Sequence, residues 1–269
     1  MPAFLDLPSA RIAYEVIGEA DAQRTVLVTH SLAASREWED EAGILNWPTI
    51  SDGGNRLVRF DARGHGESAG EPGQERYRWP FLAEDLVALA DATSPEEPVD
   101  ALGESTGCGI VLWAALASPS RLRRLVLVIP PTRGRAREQQ AELYRGMAEL
   151  IELRGMEAWL RLLSVAPPAP ILRAGGWTRP ARVTVAEALL PSVLRGAADS
   201  TFPDEDALRT IQQPTLILAW ETDPSHPVET ATYLAEQLPN GVVEVATTPE
   251  EVRGWSRRIS EFLAAPEAP

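Results

Sequence analysis

The first half of the chain alternates short apolar runs with amphipathic ones. "AFLDLP" and "RIAYEVIG" read as a hairpin pair, and "TVLVTH", "RLVRFDA" and "PVDALGE" follow as further strands. Between them, "REWEDEAGIL" and "FLAEDLVALADA" read as helices. Strands alternating with helices of this length predict a mostly parallel sheet with right-handed crossovers. "LRRLVLVIPP" is the next buried strand, the sixth.

The pattern then changes. From about Thr132 to Arg209 the chain is helical and rich in Arg, Leu and Ala, broken by "APPAPIL" and "AGGWTRP", with no strand pattern. Alternation resumes with "PTLILAWE", "VETATYLAEQL", "VVEVA" and "PEEVRGWSRRISEFLAA". The simplest organisation is an α/β core, residues 1–131 and 210–269, interrupted by a helical cap over residues 132–209. No internal repeat is present, and low complexity is confined to the tail "AAPEAP".

Composition narrows the function classes. A chain of 269 residues with 44% hydrophobic and 24% charged residues is an ordinary globular one, either a large domain or a domain with an insertion. A net charge of −14 argues against a nucleic-acid surface and against docking on anionic lipid. All 25 basic residues are Arg, which reads as a genomic composition bias. The single cysteine, Cys108, cannot form an internal disulfide and suits a reducing compartment. The N-terminal stretch has neither a basic n-region nor a long apolar core, and "GIVLWAALA" and "LVLVIPP" fall short of the ~20 residues that span a bilayer. The expectation is a soluble cytoplasmic protein acting on a small-molecule substrate, without membrane or nucleic-acid partners. Metal and nucleotide cofactors find no support, and the oligomeric state is left open.

One stretch carries chemistry on its face. "LGESTG" places Ser105 between two glycines at a strand-to-helix junction, the setting of a nucleophile elbow. The glycines are needed because a side chain there would collide with neighbouring backbone. The blander alternative is a tight turn whose serine caps the helix. A serine hydroxyl is a poor nucleophile until a base takes its proton, and the chain offers only His30, His65 and His226. The loop after "TVLVTH" can aim the Leu32 N–H at a developing oxyanion, with Thr106, the residue after the serine, giving the second N–H. His30 at the strand end and His65 between two glycines of "FDARGHGESAG" read as structural.

The strand order, "HS" after the third strand, "DARGHGES" after the fourth, "GESTG" after the fifth and the cap between "LVLVIPP" and "PTLILAW" resemble the α/β-hydrolase superfamily. The likeness is strongest to its capped esterase, lactonase and C–C hydrolase branch, which includes enol-lactonases. It implies an eight-stranded, mostly parallel sheet with helices on both faces. It also implies an acid after the strand matching "PTLILAW", where Asp223 falls, with Glu221 as the nearby fallback. Two features depart from the family pattern. The family usually writes His-Gly where this chain has His30-Ser31. Its catalytic histidine lies between the last strand and the final helix, but here "VVEVATTPEEVRGW" has none. Thr248, Pro249 and Glu251 spell an N-cap, a first-turn proline and a capping-box glutamate, so strand meets helix with almost no loop.

That leaves His226, three residues past Asp223 and just before Pro227, in a loop that borders the active-site mouth in the family. A helix N-terminus disfavours the imidazolium and suits a proton acceptor. The alternative is that His226 merely precedes the helix as a cap. Two functions compete at this point. One is a serine hydrolase of esters or lactones with Ser105, Asp223 and His226 catalytic and Leu32 and Thr106 as oxyanion hole. The other is a non-hydrolytic protein on the same scaffold, binding a ligand or carrying out a cyclisation or isomerisation. The apolar stretches "WLRLLSVAPPAPIL" and "GGWTRP" are expected to roof the site. The arginines of "TRGRAREQQ" are expected on a solvated helix face, and Trp220 lines the pocket or belongs to the core.

Overall fold

The computed structural model describes residues 2–19, 22–165, 168–178 and 182–266. Parts of the "APPAPIL" and "AGGWTRP" interruptions and of the C-terminal tail lie outside the described residues.

Eight strands form one sheet: β1 (Ala3–Leu7), β2 (Ala10–Ile17), β3 (Arg24–Thr29), β4 (Asn55–Phe60), β5 (Val99–Glu104), β6 (Leu122–Val128), β7 (Thr215–Trp220) and β8 (Gly241–Ala246). Their spatial order is β1-β2-β4-β3-β5-β6-β7-β8. β1–β2 and β2–β4 pair antiparallel, and every later pairing is parallel. The period of two explains why β5 is buried at every residue: Val99 and Ala101 join the core on one face and Leu102 joins that on the other.

Helices cover both faces. α3 (Trp79–Thr93), α4 (Thr106–Ala117) and α10 (Val228–Gln237) pack on one. On the other lie α1 (Arg36–Ala42), α2 (Trp47–Ser51), α11 (Pro249–Arg253) and α12 (Trp255–Ala264), with Trp47, Ile50, Val252, Trp255 and Ile259 buried. Between β6 and β7 come α5 (Gly134–Arg154), α6 (Met156–Val165), α7 (Pro170–Gly175), α8 (Leu190–Ala198) and α9 (Glu205–Leu208). α5, α6 and α8 bury a cluster of their own with Ala148, Ile151, Trp159, Val193 and Leu194, closed from below by Tyr77. Among the described residues no helix is long and apolar enough to cross a membrane.

One predicted helix ends early and another breaks in two. "REWEDEAGIL" stops at Ala42, where Gly43 takes a left-handed conformation (φ 64°), and Asn46 then caps the separate helix α2 through its side chain. "PEEVRGWSRRISEFLAA" breaks at Gly254 into α11 and α12. The capping box of Thr248 and Glu251 is present as the sequence spells it, two residues beyond the end of β8.

Candidate active site

Ser105 stands at the C-terminal end of β5 and is the residue before α4. Its backbone has φ 51° and ψ −111°, a region that costs a non-glycine residue about 1–3 kcal/mol and persists only where the surroundings enforce it. The enforcement is visible. Ser105 N–H donates to Val128 C=O at 2.9 Å, and Cys108 N–H donates to Ser105 C=O at 2.9 Å. A Cβ on Gly107 would lie 2.6 Å from the Thr29 carbonyl oxygen, and one on Gly103 would run into the Gly107 carbonyl. Both motif glycines are therefore dictated by close backbone approach. The turn also sends the serine side chain out toward the loop after β7.

That loop brings Asp223 and His226 together. Thr222 takes φ 68° and reverses the chain just past β7. Asp223-Pro224-Ser225-His226 then forms a tight turn, with His226 N–H donating to Asp223 C=O at 3.1 Å. Ser225 N–H also donates to Asp223 Oδ1 at 2.9 Å, the turn expected of Asp followed by Pro. Across this turn His226 Nδ1 lies 2.8 Å from Asp223 Oδ2, and its Nε2 lies 2.8 Å from Ser105 Oγ. A carboxylate only accepts, so Nδ1 carries the proton and Nε2 presents a lone pair to the serine O–H. Trp220, the buried last residue of β7, adds an Nε1–H bond of 3.1 Å to Asp223 Oδ2 and stacks on Trp255. Burial alone would raise the Asp223 carboxyl; the His226 ring, Ser225 N–H and Trp220 N–H outweigh it and hold the group below the usual aspartate range. The Glu221 side chain is exposed, and Asp223 is the carboxylate on His226.

Leu32 and Thr106 meet at one cavity of about 10 Å³, a space for roughly one water, which Tyr77, Leu82 and Ile110 line with apolar surface. Thr106 is the first residue of α4, so its N–H has no partner within the helix. The lining from the segment between β6 and β7 comes from Val193 and Ala197 on α8. This corrects the expected roof: Trp159 of α6 is spent on the inter-helix cluster, while Ile171 and Trp177 pack toward Trp220 and Trp255. Of the arginines in "TRGRAREQQ", Arg133 and Arg135 are exposed as expected of a solvated face, and Arg137 differs. Arg137 is buried, donates to Ser200 C=O at 2.9 Å and to Ala197 C=O, and lies 4.6 Å over the Trp79 ring.

The other histidines are structural. His30 Nε2 accepts from Ala62 N–H at 2.9 Å, so its Nδ1–H donates to Ser31 C=O at 2.7 Å, which ties the β3 loop to the β4 loop. His65 Nδ1–H donates to Arg63 C=O at 2.9 Å, and its ring lies 5.0 Å from that of His30. Burial, then the neighbouring His30, lowers His65 to about 3. An unfolded histidine takes its proton near 6.5, whereas the folded ring stays neutral down to about 3, so stability is full above 6.5 and drains away as pH falls below it. Near pH 5 the loss is about 2 kcal/mol. In His65→Asn, which keeps a donor for Arg63 C=O, the unfolding temperature is expected to fall less between neutral and mildly acid pH. Equal slopes in both proteins would contradict this assignment.

Glu104, the residue before Ser105, and Glu39 of α1 are buried carboxyls that the sequence reading did not single out. The available signal was a carboxylate closing a strand that is otherwise apolar enough to be buried throughout.

Residues 24–249 match the family model described as alpha/beta hydrolase fold, and the chain belongs to that family. A 2-hydroxymuconate semialdehyde hydrolase from Pseudomonas putida is 26% identical over 225 residues, covering 79% of this chain and 78% of that protein. The solved enol-lactonase from Burkholderia xenovorans superposes with a TM-score of 0.79 at 18% identity, covering 98% of this chain and 100% of that one. A hydrolase from Pseudomonas aeruginosa gives a TM-score of 0.75 at 23% identity, with 98% of each chain covered. At these identities the structural likenesses speak for the fold alone.

Proposed function

We propose that this chain is a serine hydrolase that opens an ester or lactone of a small, largely apolar substrate. The observation that carries the proposal is the relay of two 2.8 Å hydrogen bonds from Ser105 through His226 to Asp223. Ser105 Oγ attacks the carbonyl while His226 Nε2 takes its proton, and Asp223 holds the ring in the right tautomer and stabilises the imidazolium. The N–H groups of Leu32 and Thr106 receive the oxyanion. His226 then gives its proton to the leaving oxygen, and a water deprotonated by the same ring releases the acid. Residues 132–209 act as the cap, with α8 over the cavity. The histidine missing after the last strand favours the alternative without hydrolysis, and the 2.8 Å contact between His226 and Ser105 supports the hydrolytic reading over it.

A substrate panel tests the proposal: p-nitrophenyl esters of rising chain length, a small lactone and 2-hydroxymuconate semialdehyde. Tyr77, Ile110, Val193 and Ala197 leave little open space beside Leu32 and Thr106, so acetate is expected to exceed octanoate in kcat/KM by about tenfold or more. If only the semialdehyde turns over, the cleaved bond is C–C and the ester and lactone assignment is wrong. If nothing turns over faster than with Ser105→Ala, hydrolysis itself is refuted.

A further inference from the structure

The turn after β7 supports a further assignment, which rests on reading Ser105 and His226 as a hydrolytic centre. The resemblance implies acid and base on separate loops, each fixing one side of the ring. Here one tight turn carries both. Its bonds from Ser225 N–H to Asp223 Oδ1 and from His226 N–H to Asp223 C=O run within the turn. They fix Asp223 against His226 but fix neither against the sheet. Thr222, Pro224 and Ser225 are exposed, so packing holds the turn only weakly. Among the described residues three donors reach the Asp223 carboxylate: Ser225 N–H at Oδ1, and His226 Nδ1–H and Trp220 Nε1–H at Oδ2. Ser225 and His226 belong to the turn; Trp220 belongs to β7.

Trp220 is well placed to serve as a fixed point. It is 2% exposed and stands opposite Ala246 of β8, whose carbonyl accepts from Glu221 N–H at 3.1 Å. Its ring stacks on Trp255, the buried first residue of α12, with centroids 5.6 Å apart and planes 19° from parallel. β8 ends at Ala246 and α11 begins at Pro249, so Trp255 follows the last strand closely. Ser256 Oγ accepts from Asn46 N–H at 2.7 Å and anchors that helix start to the segment before α2. Where the resemblance implies a loop bearing the base, this chain thus packs an indole beneath the acid. Burial alone does not demand the bond to Asp223. Among the described residues Trp47, Trp79 and Trp159 are also buried, and their Nε1–H groups have no partner. Trp220 lies outside the lining of the cavity at Leu32 and Thr106, so it belongs to the core.

We propose that Trp220 is a positioning residue of the triad, whose indole N–H fixes the Asp223 carboxylate to the sheet and so holds the whole acid–base turn in register with Ser105. It touches no substrate atom and acts through Asp223 and His226. With Oδ1 held by Ser225 and Oδ2 held between two ring N–H groups, the carboxylate is fixed at three points and cannot rotate away from Nδ1. A hydrogen bond to an ionised group is about twice as strong as a neutral one, which suits an anchor for a turn this exposed.

Trp220→Phe removes the N–H and keeps an aromatic ring against Trp255. With p-nitrophenyl acetate, kcat should fall by about tenfold while KM stays nearly constant, because the ring is remote from bound substrate. Trp159→Phe makes the same chemical change at an indole whose N–H has no partner, and kcat should stay within about twofold. A second measurement needs no variant to fold. In the NMR spectrum of wild type with 15N-labelled tryptophan, the Trp220 indole proton should lie downfield of those of Trp47, Trp79 and Trp159, because it alone of the four faces a carboxylate. In an active wild type, three results overturn the proposal alone: a Trp220→Phe variant with unchanged kcat, a loss confined to KM, or an equal loss in Trp159→Phe. So does a Trp220 proton that is not displaced from the other three. A wild type inert toward every ester and lactone refutes the parent hydrolase reading and Trp220's role with it.

Discussion

Hydrolysis of p-nitrophenyl acetate is expected to fall by about 10⁴-fold or more in Ser105→Ala, with the protein still folded. The size follows from nucleophile and base working as one unit: without the hydroxyl there is nothing for His226 to activate, and only the oxyanion donors and binding remain. The fold should tolerate the change because the elbow is held by backbone groups. Ser105 N–H to Val128 C=O and Cys108 N–H to Ser105 C=O survive in the alanine variant, and alanine meets the same positive φ that serine does. The one bond lost is the 2.8 Å contact to His226, at a residue 8% exposed. Steady-state kinetics with a thermal melt on each protein checks the point. Equal rates would mean that any esterase activity is adventitious.

The second large effect is expected at His226. His226→Gln keeps polar atoms near Ser105 but cannot take up a proton, and kcat should drop by about 10³-fold or more. Asp223→Asn should cost a comparable factor for a different reason. An amide N–H donating to Nδ1 selects the other tautomer, so Nε2 presents a proton, not a lone pair, to the serine. Asp223 is held below the usual aspartate range, so it stays ionised wherever the protein would work, and acid loss of activity reports the base. The measurement is kcat and KM for both variants across pH. Full activity in His226→Gln would remove the base from the account.

How far the sequence reaches is clearest in this same loop. "DPSH" is legible as a turn, because Asp accepts from the backbone two residues on and Pro fixes the next φ. The absence of a loop after β8 is legible from the capping box of Thr248 and Glu251. The sheet is legible for a similar reason: strands buried on both faces read as apolar runs between helical stretches. Residues brought together from distant segments are another matter. Nothing local says that α8 and not α6 faces the cavity. Several helices of the 132–209 segment are amphipathic, and which one faces the site is decided by packing on Tyr77 and on one another. Arg137 misled for the same reason, since carbonyls and a Trp79 face supplied by tertiary structure turn a charged position into a buried one.

The central claim is that His226 activates Ser105 from the loop after β7. Fluorophosphonate labelling, followed by mass spectrometry of the Ser105 peptide in wild type and His226→Gln, tests it most directly, because the reagent reports an activated hydroxyl whatever the natural substrate. The account predicts full modification of wild type at Ser105 and labelling slowed by about 10²-fold or more in His226→Gln. A wild type that stays unlabelled, or a His226→Gln variant that labels as fast, would contradict it.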